Sequence, residues 1–215
     1  MTAAAWEATA IALLGGYLSG ALPWGLWIGR AARGIDVREH GSRNLGATNV
    51  YRTLGPGLGV MTLLLDIAKG AVPVAVIPSL AVSRGFPGGH AWCAVTVAVA
   101  AVLGHMFTVF AGFKGGKGVA TTVGVLLALC PWAFLVFVTV FLVTLLTTRY
   151  VSLGSVLGAV AFSVSLAWLA PGGWRDPVFA LGLALAILVI ARHRENLQRL
   201  ARGEERRFSF GGGKP

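Results

Sequence analysis

Charge is scarce in this chain, and acidic charge scarcer still: Asp and Glu number 8 in 215 residues, and charged residues of both signs make up only 12%. Soluble domains carry about a quarter, so that class is excluded. Cysteine is nearly missing as well. Cys93 and Cys130 both fall within apolar runs, which argues against a disulfide framework and a thiolate metal site. The strict apolar–polar alternation of a membrane barrel is absent. So is a basic stretch ahead of the first apolar run, and residues 6–30 are therefore expected to be a retained span and not a cleaved signal.

What is present is hydrophobic sequence, 56% of the chain, in long runs along nearly its whole length. This predicts an all-α polytopic membrane bundle. Seven spans are expected, at roughly 6–29, 55–80, 90–110, 117–131, 132–148, 152–170 and 176–191. Residues 119–148 form one apolar run interrupted only by Cys130-Pro131-Trp132. Read as two helices, they leave all but three of the 18 basic residues (Lys69, Arg84 and Arg175) on one face. Read as one, they put the basic tail opposite the first basic loop. Positive residues mark the cytoplasmic side, so the two-helix reading is adopted, with the N-terminus periplasmic and the C-terminus cytoplasmic. Each short helix is expected to hold about 15 residues, or about 22 Å at 1.5 Å per residue. Residues 1–207 are expected to form a single domain and 208–215, rich in glycine, a disordered tail. The net charge of +10 lies in loops between spans, which does not suit nucleic acid.

Four polar stretches fall on the predicted inner face. The first, 41–52, reads Gly-Ser-Arg-Asn-Leu-Gly-Ala-Thr-Asn-Val-Tyr-Arg. Ser42, Asn44, Thr48 and Asn49 are able to donate to phosphate or carbonyl oxygens, and Arg52 offers a planar fork suited to phosphate. The plainer reading is a solvated turn with helix caps. The second is Gly112–Gly118, Gly-Phe-Lys-Gly-Gly-Lys-Gly. Glycines let backbone N–H groups approach an anion, Lys114 and Lys117 supply charge, and the following span contributes a positive helix end. Gly118 stands where a Walker loop needs Ser or Thr, so a nucleoside triphosphate is not its ligand. The plainer reading is a flexible basic loop. The third stretch, 148–155, holds Ser152 and Ser155, which either cap a helix or reach a ligand. The fourth, Arg192-His193-Arg194-Glu195-Asn196, places His193 and Asn196 on one helix face; alone this is weak. Asp66 and Lys69 lie within the second span three residues apart, where a structural ion pair is favoured over a site role. His105 near the end of the third span is ambiguous, and no metal-ligand cluster is visible.

The strings 41–52, Asp66-Ile-Ala-Lys-Gly70, 104–121 and 192–196 resemble the bacterial acyl-phosphate:glycerol-3-phosphate acyltransferases, in order and over nearly the whole chain. The resemblance implies an inner-membrane enzyme of seven spans; the charge placement puts its polar stretches at the cytoplasmic face, and no cofactor is expected. It would move a fatty acyl group from acyl phosphate to the 1-hydroxyl of glycerol 3-phosphate, giving lysophosphatidic acid and phosphate. It implies that Ser42 and Arg52 are the essential serine and arginine. It implies further that Lys114, Gly115, Gly116, Lys117 and Gly118 form the phosphate loop for glycerol 3-phosphate, and that His193 and Asn196 are the functional histidine and asparagine. Two positions depart from the family pattern: Arg43 replaces a common glycine and Thr108 an expected proline. The His-x-x-x-x-Asp pair of other glycerolipid acyltransferases is absent, since the residues five after His40, His90, His105 and His193 are Leu45, Val95, Phe110 and Gln198. A transporter of a phosphate-bearing solute is the competing class. It calls for internal repeats and polar groups along a path, and neither is evident.

Overall fold

The computed structural model describes residues 2–170 and 172–208, and all regular structure among them is helical. Five helical segments are long and apolar enough to cross a membrane: Ala3–Arg33, Pro56–Ser83, Gly89–Ala111, Pro131–Thr148 and Val151–Leu169. The pair Pro177–Arg192 and Arg194–Ala201, bent by 56°, makes a sixth only where the two helices are taken together as one span. Val119–Leu129 is apolar but shorter. The expected tail, beyond Phe208, lies outside the described residues.

The chain divides into two compact units, one ending at Leu129 and the other beginning at Cys130. The first contains α1 (Ala3–Ala21), α2 (Trp24–Arg33), α3 (Ala47–Leu54), α4 (Pro56–Ser83), α5 (Gly89–Met106) and α6 (Val119–Leu129). Its packing rests on small residues. Ala5, Ala8, Ala12, Gly16 and Gly20 form a buried stripe along α1. A Cβ on Gly20 would strike the Ala101 backbone of α5, and one on Gly104 the Tyr17 backbone of α1. Backbone-to-backbone approach of this kind holds membrane helices together by dispersion, since lipid supplies no hydrophobic drive between them. The same device joins α4 to α6, where a Cβ on Gly124 would meet Ile67 and one on Gly70 would meet Thr121. Large apolar side chains such as Leu14, Leu64 and Val76 point outward, as a lipid-facing surface requires.

The second unit contains α7 (Pro131–Thr148), α8 (Val151–Leu169), α9 (Pro177–Arg192) and α10 (Arg194–Ala201). Gly154 and Gly158 of α8 lie against Phe141 and Phe137 of α7. The Ser163 hydroxyl donates to the Gly182 carbonyl of α9 at 2.9 Å. Asp176 caps α9, accepting from the Val178 N–H at 2.8 Å.

Several expectations need correction. The first span is broken at Leu22-Pro23, because Pro23 has no N–H to continue the ladder. The first inner loop holds a real helix, α3. Residues 119–148 do form two helices parted at Cys130, but only α6 is short, with 11 residues; α7 has 18. Ser152 and Ser155 do not cap α8. The N-cap is Tyr150, with no side-chain cap bond, and both serines lie one position or more inside the helix.

Candidate active site

In the first unit the 41–52 stretch is organised around Asn49, which is 1% exposed. Its Nδ2 donates to the carbonyls of Val37 (2.8 Å), Asn44 (2.9 Å) and His40 (3.2 Å). Its Oδ1 accepts the Ser42 N–H at 2.7 Å. The amide is spent on the loop itself, so Asn49 is a builder of the site and not a substrate donor as the sequence suggested. Asn44 also acts locally, its Oδ1 accepting the Gly46 N–H at 2.8 Å. Ser42 is left exposed at the loop's surface, Thr48 is half-buried, and Arg52 sits half-buried in the last turn of α3. Arg43 has φ 57°, in the left-handed region that glycine enters without strain.

Arg38, which sequence reasoning passed over, links this loop to the next. Its guanidinium grips Asp36 at 2.6 Å and donates to the Ala111 carbonyl at 3.1 Å. The hydrogen bonds from Arg38 outweigh the effect of burial and hold the Asp36 carboxyl well below the usual range.

The glycine–lysine stretch folds back on the end of α5. The N–H groups of Gly115 and Gly116 donate to the carbonyls of Met106 (3.1 Å) and His105 (3.2 Å). Those two N–H groups therefore serve the loop's own fold and not an anion. Their glycines are needed because a Cβ on Gly115 would strike the His105 carbonyl, and one on Gly116 the His105 Nε2. Lys114 is exposed and Lys117 half-buried, and Gly118 leads at φ 83° into the N-terminal turn of α6. The positive end of that helix remains positioned to favour an anion.

Behind both loops lies a buried polar cluster. Lys69 Nζ is 2.7 Å from Asp66 Oδ1 and donates to the Leu22 carbonyl at 2.6 Å. The Thr108 hydroxyl donates to the Ala21 carbonyl. Lys69 and Thr108 thus satisfy carbonyls orphaned by the break between α1 and α2. The ion pair serves the fold in this respect. Thr108 (φ −66°) meets the backbone demand of the expected proline and adds a bond that proline lacks. His105 Nδ1 lies 3.0 Å from Thr121 Oγ1 and 3.9 Å from Asp66 Oδ1. A small recess bordered by Gly25, Leu45, Asp66, Lys69, His105 and Gly116 opens beside this cluster.

In the second unit Glu205 gathers the polar groups. Its Oε1 accepts from Ser152 Oγ (2.7 Å) and Asn196 Nδ2 (2.8 Å), and its Oε2 from Arg199 Nε (3.1 Å). Burial pushes the Glu205 carboxyl up, but the three hydrogen bonds and the Arg199 charge together leave it below its ordinary value. Glu205 lies outside every motif quoted from the sequence; its only signal was being acidic in a basic tail. Ser155 bonds back to the Val151 carbonyl at 2.9 Å. His193 is buried, with Nδ1 donating to the Val189 carbonyl at 2.8 Å. A carbonyl can only accept, so Nδ1 carries the proton, and Nε2 is the basic nitrogen of the neutral ring. Among the described residues no group of three or more His, Cys, Asp or Glu could hold a metal ion.

Comparison with known proteins covers nearly the whole chain. The family model described as glycerol-3-phosphate acyltransferase matches residues 10–203. A glycerol-3-phosphate acyltransferase of Anaeromyxobacter dehalogenans (strain 2CP-C) is 46% identical over 198 residues, covering 92% of this chain and 96% of that protein. The Geobacter sulfurreducens protein of the same description is 46% identical over 192 residues, covering 89% and 93%. The crystal structure of PlsY (YgiH), an integral membrane glycerol 3-phosphate acyltransferase, in its glycerol 3-phosphate form superposes with a TM-score of 0.82 at 38% identity, covering 94% of this chain and 96% of that one. Its lysophosphatidic acid form gives 0.79 at 37%. A model match over nine-tenths of the length, agreeing with relatives and solved structures of the same description, leaves one conclusion: this all-helical membrane protein belongs to the glycerol-3-phosphate acyltransferase family.

Proposed function

We propose that this chain transfers a fatty acyl group from acyl phosphate to the 1-hydroxyl of glycerol 3-phosphate, releasing lysophosphatidic acid and inorganic phosphate. The observation that carries this is the glycine–lysine loop, folded onto α5 and leading into the positive end of α6, in a member of this family. Both substrates bear phosphate, and one bears an acyl chain that belongs in lipid. Acyl phosphate is already activated, so the protein need only hold two anions and stabilise the oxyanion. Lys114, Lys117 and Arg52 neutralise phosphate. Ser42 steadies the carbonyl oxygen or the leaving phosphate. His193 and Asn196 orient glycerol 3-phosphate. A substrate phosphate accepts the hydroxyl proton, and His193 Nε2 is the alternative acceptor.

In this reading residues 1–207 act as one acyltransferase domain. They cross the bacterial inner membrane seven times, with 119–129 as the fourth crossing, the N-terminus periplasmic and the active face cytoplasmic. The purified protein, given acyl phosphate and glycerol 3-phosphate in the presence of chelator, is expected to release one phosphate per lysophosphatidic acid formed. Absence of release, together with solute uptake into vesicles, would establish the transporter class instead.

A further inference from the structure

The glycine–lysine loop contains four glycines, at 112, 115, 116 and 118, and a segment so composed carries high conformational entropy. A phosphate-binding loop that is ordered only on binding loses that entropy from its affinity. A contact that holds the loop beforehand removes that loss. His105 is placed to do so from two sides. Its carbonyl accepts the Gly116 N–H at 3.2 Å. Its ring meets Gly116 closely at Nε2, while Nδ1 lies 3.0 Å from Thr121 Oγ1. Thr121 stands in the first turn of α6, just past the loop, and is fully buried. One side chain thus touches both the middle of the loop and the helix it enters. Behind the ring stands Asp66 at 3.9 Å, itself paired with Lys69.

We propose that His105, through its Nδ1 contact with Thr121, is the positioning residue that presets the glycine–lysine loop and so sets the affinity for the phosphate of glycerol 3-phosphate. This rests on the assignment of that loop to glycerol 3-phosphate. His105 acts on the loop's conformation, so its loss weakens binding and leaves the chemistry of the bound complex intact. A residue that served stability alone would behave differently: fewer molecules would be folded, apparent kcat would fall, and both KM values would stay where they were.

The test uses the purified full-length enzyme and steady-state kinetics in both substrates. His105→Ala and Thr121→Val are expected to raise the glycerol 3-phosphate KM about tenfold, the worth of one buried hydrogen bond, with kcat and the acyl phosphate KM near wild type. Thr121→Val conserves shape and guards against a misfolded alanine variant. His105→Asn, which keeps a polar atom at the place of Nδ1, and Thr121→Ser are expected to restore the KM. A fall in kcat with both KM values unchanged overturns the proposal, and so does a His105→Asn variant no better than alanine. Lys117→Ala, measured alongside, separates the two levels of inference. If it raises the glycerol 3-phosphate KM and neither His105→Ala nor Thr121→Val does, the positioning role fails alone. If Lys117→Ala leaves that KM unchanged, the loop assignment fails and takes the proposal with it.

Discussion

Two neighbouring residues of the first loop, Ser42 and Asn49, looked alike in sequence and part company in the structure. Asn49 is buried and makes four hydrogen bonds that define the loop; Ser42 contributes its N–H to that scheme and is itself exposed. Asn49→Ala strands several buried partners at about 1–3 kcal/mol each, so it is expected to lower Tm and activity together. Ser42→Ala is expected to abolish activity with Tm unchanged. A thermal melt beside an activity assay checks the pair; a Ser42→Ala variant that melts early would make the serine structural. Arg43 gives a second prediction. The left-handed conformation costs a non-glycine residue about 1–2 kcal/mol, against which glycine loses about 0.5–1 kcal/mol of unfolded-chain entropy. Arg43→Gly is therefore expected to stabilise the protein by about 0.5–1 kcal/mol, readable as a small rise in Tm; a fall would mean that the guanidinium makes a compensating contact. The departure at 43 was legible in the sequence. Its physical meaning was not, because φ is a property of the folded loop.

At the scale of elements, several apolar helices were legible almost to the residue, since apolar length is a one-dimensional signal: α4, α8 and α9 begin and end within three residues of the expected runs. The break at Leu22-Pro23 was missed because a run of hydropathy does not register one absent N–H. Helix α3 was missed because its polar face reads as loop. Glu205 was missed for another reason: Ser152 of α8 lies 53 residues away, and Asn196 and Arg199 of α10, nine and six residues away, are reached by the chain turning back past the end of α10, which no helix period registers. This node carries a pH prediction. A carboxyl whose folded pKa is depressed contributes stability above its unfolded value, about 4.3. That contribution is lost as pH falls through the lower folded value. Wild-type stability is thus expected to decline below the ordinary glutamate range as the carboxylate protonates. Glu205→Gln, which keeps an oxygen to accept from Ser152 and Asn196 but loses the charge facing Arg199, should be less stable at neutral pH and should lack this acid-dependent component. Denaturant melts across pH measure it; identical profiles for the two proteins would remove Glu205 from the account.

For the whole molecule the decisive quantity is the number of crossings, and it turns on α6. Eleven residues span about 16 Å, against about 30 Å of hydrocarbon. If α6 nevertheless counts as a crossing, then the glycine–lysine loop, the first loop and the basic tail share the cytoplasmic face, and only Arg84 and Arg175 look outward. If it does not, the tail emerges opposite the loops, and the residues assigned to one reaction are split by the membrane. The two native cysteines are both buried, so a membrane-impermeant maleimide finds little background. Arg84→Cys and Arg175→Cys, both at exposed positions, are expected to react in intact spheroplasts. Lys114→Cys and Arg202→Cys, equally exposed on the protein, are expected to react only after permeabilisation. Reaction of Arg202→Cys from outside would give α6 no crossing and remove His193 and Asn196 from the face of the lysines. Reaction of Lys114→Cys from outside would place the glycine–lysine loop in the periplasm, opposite the cytoplasmic face proposed for the active site.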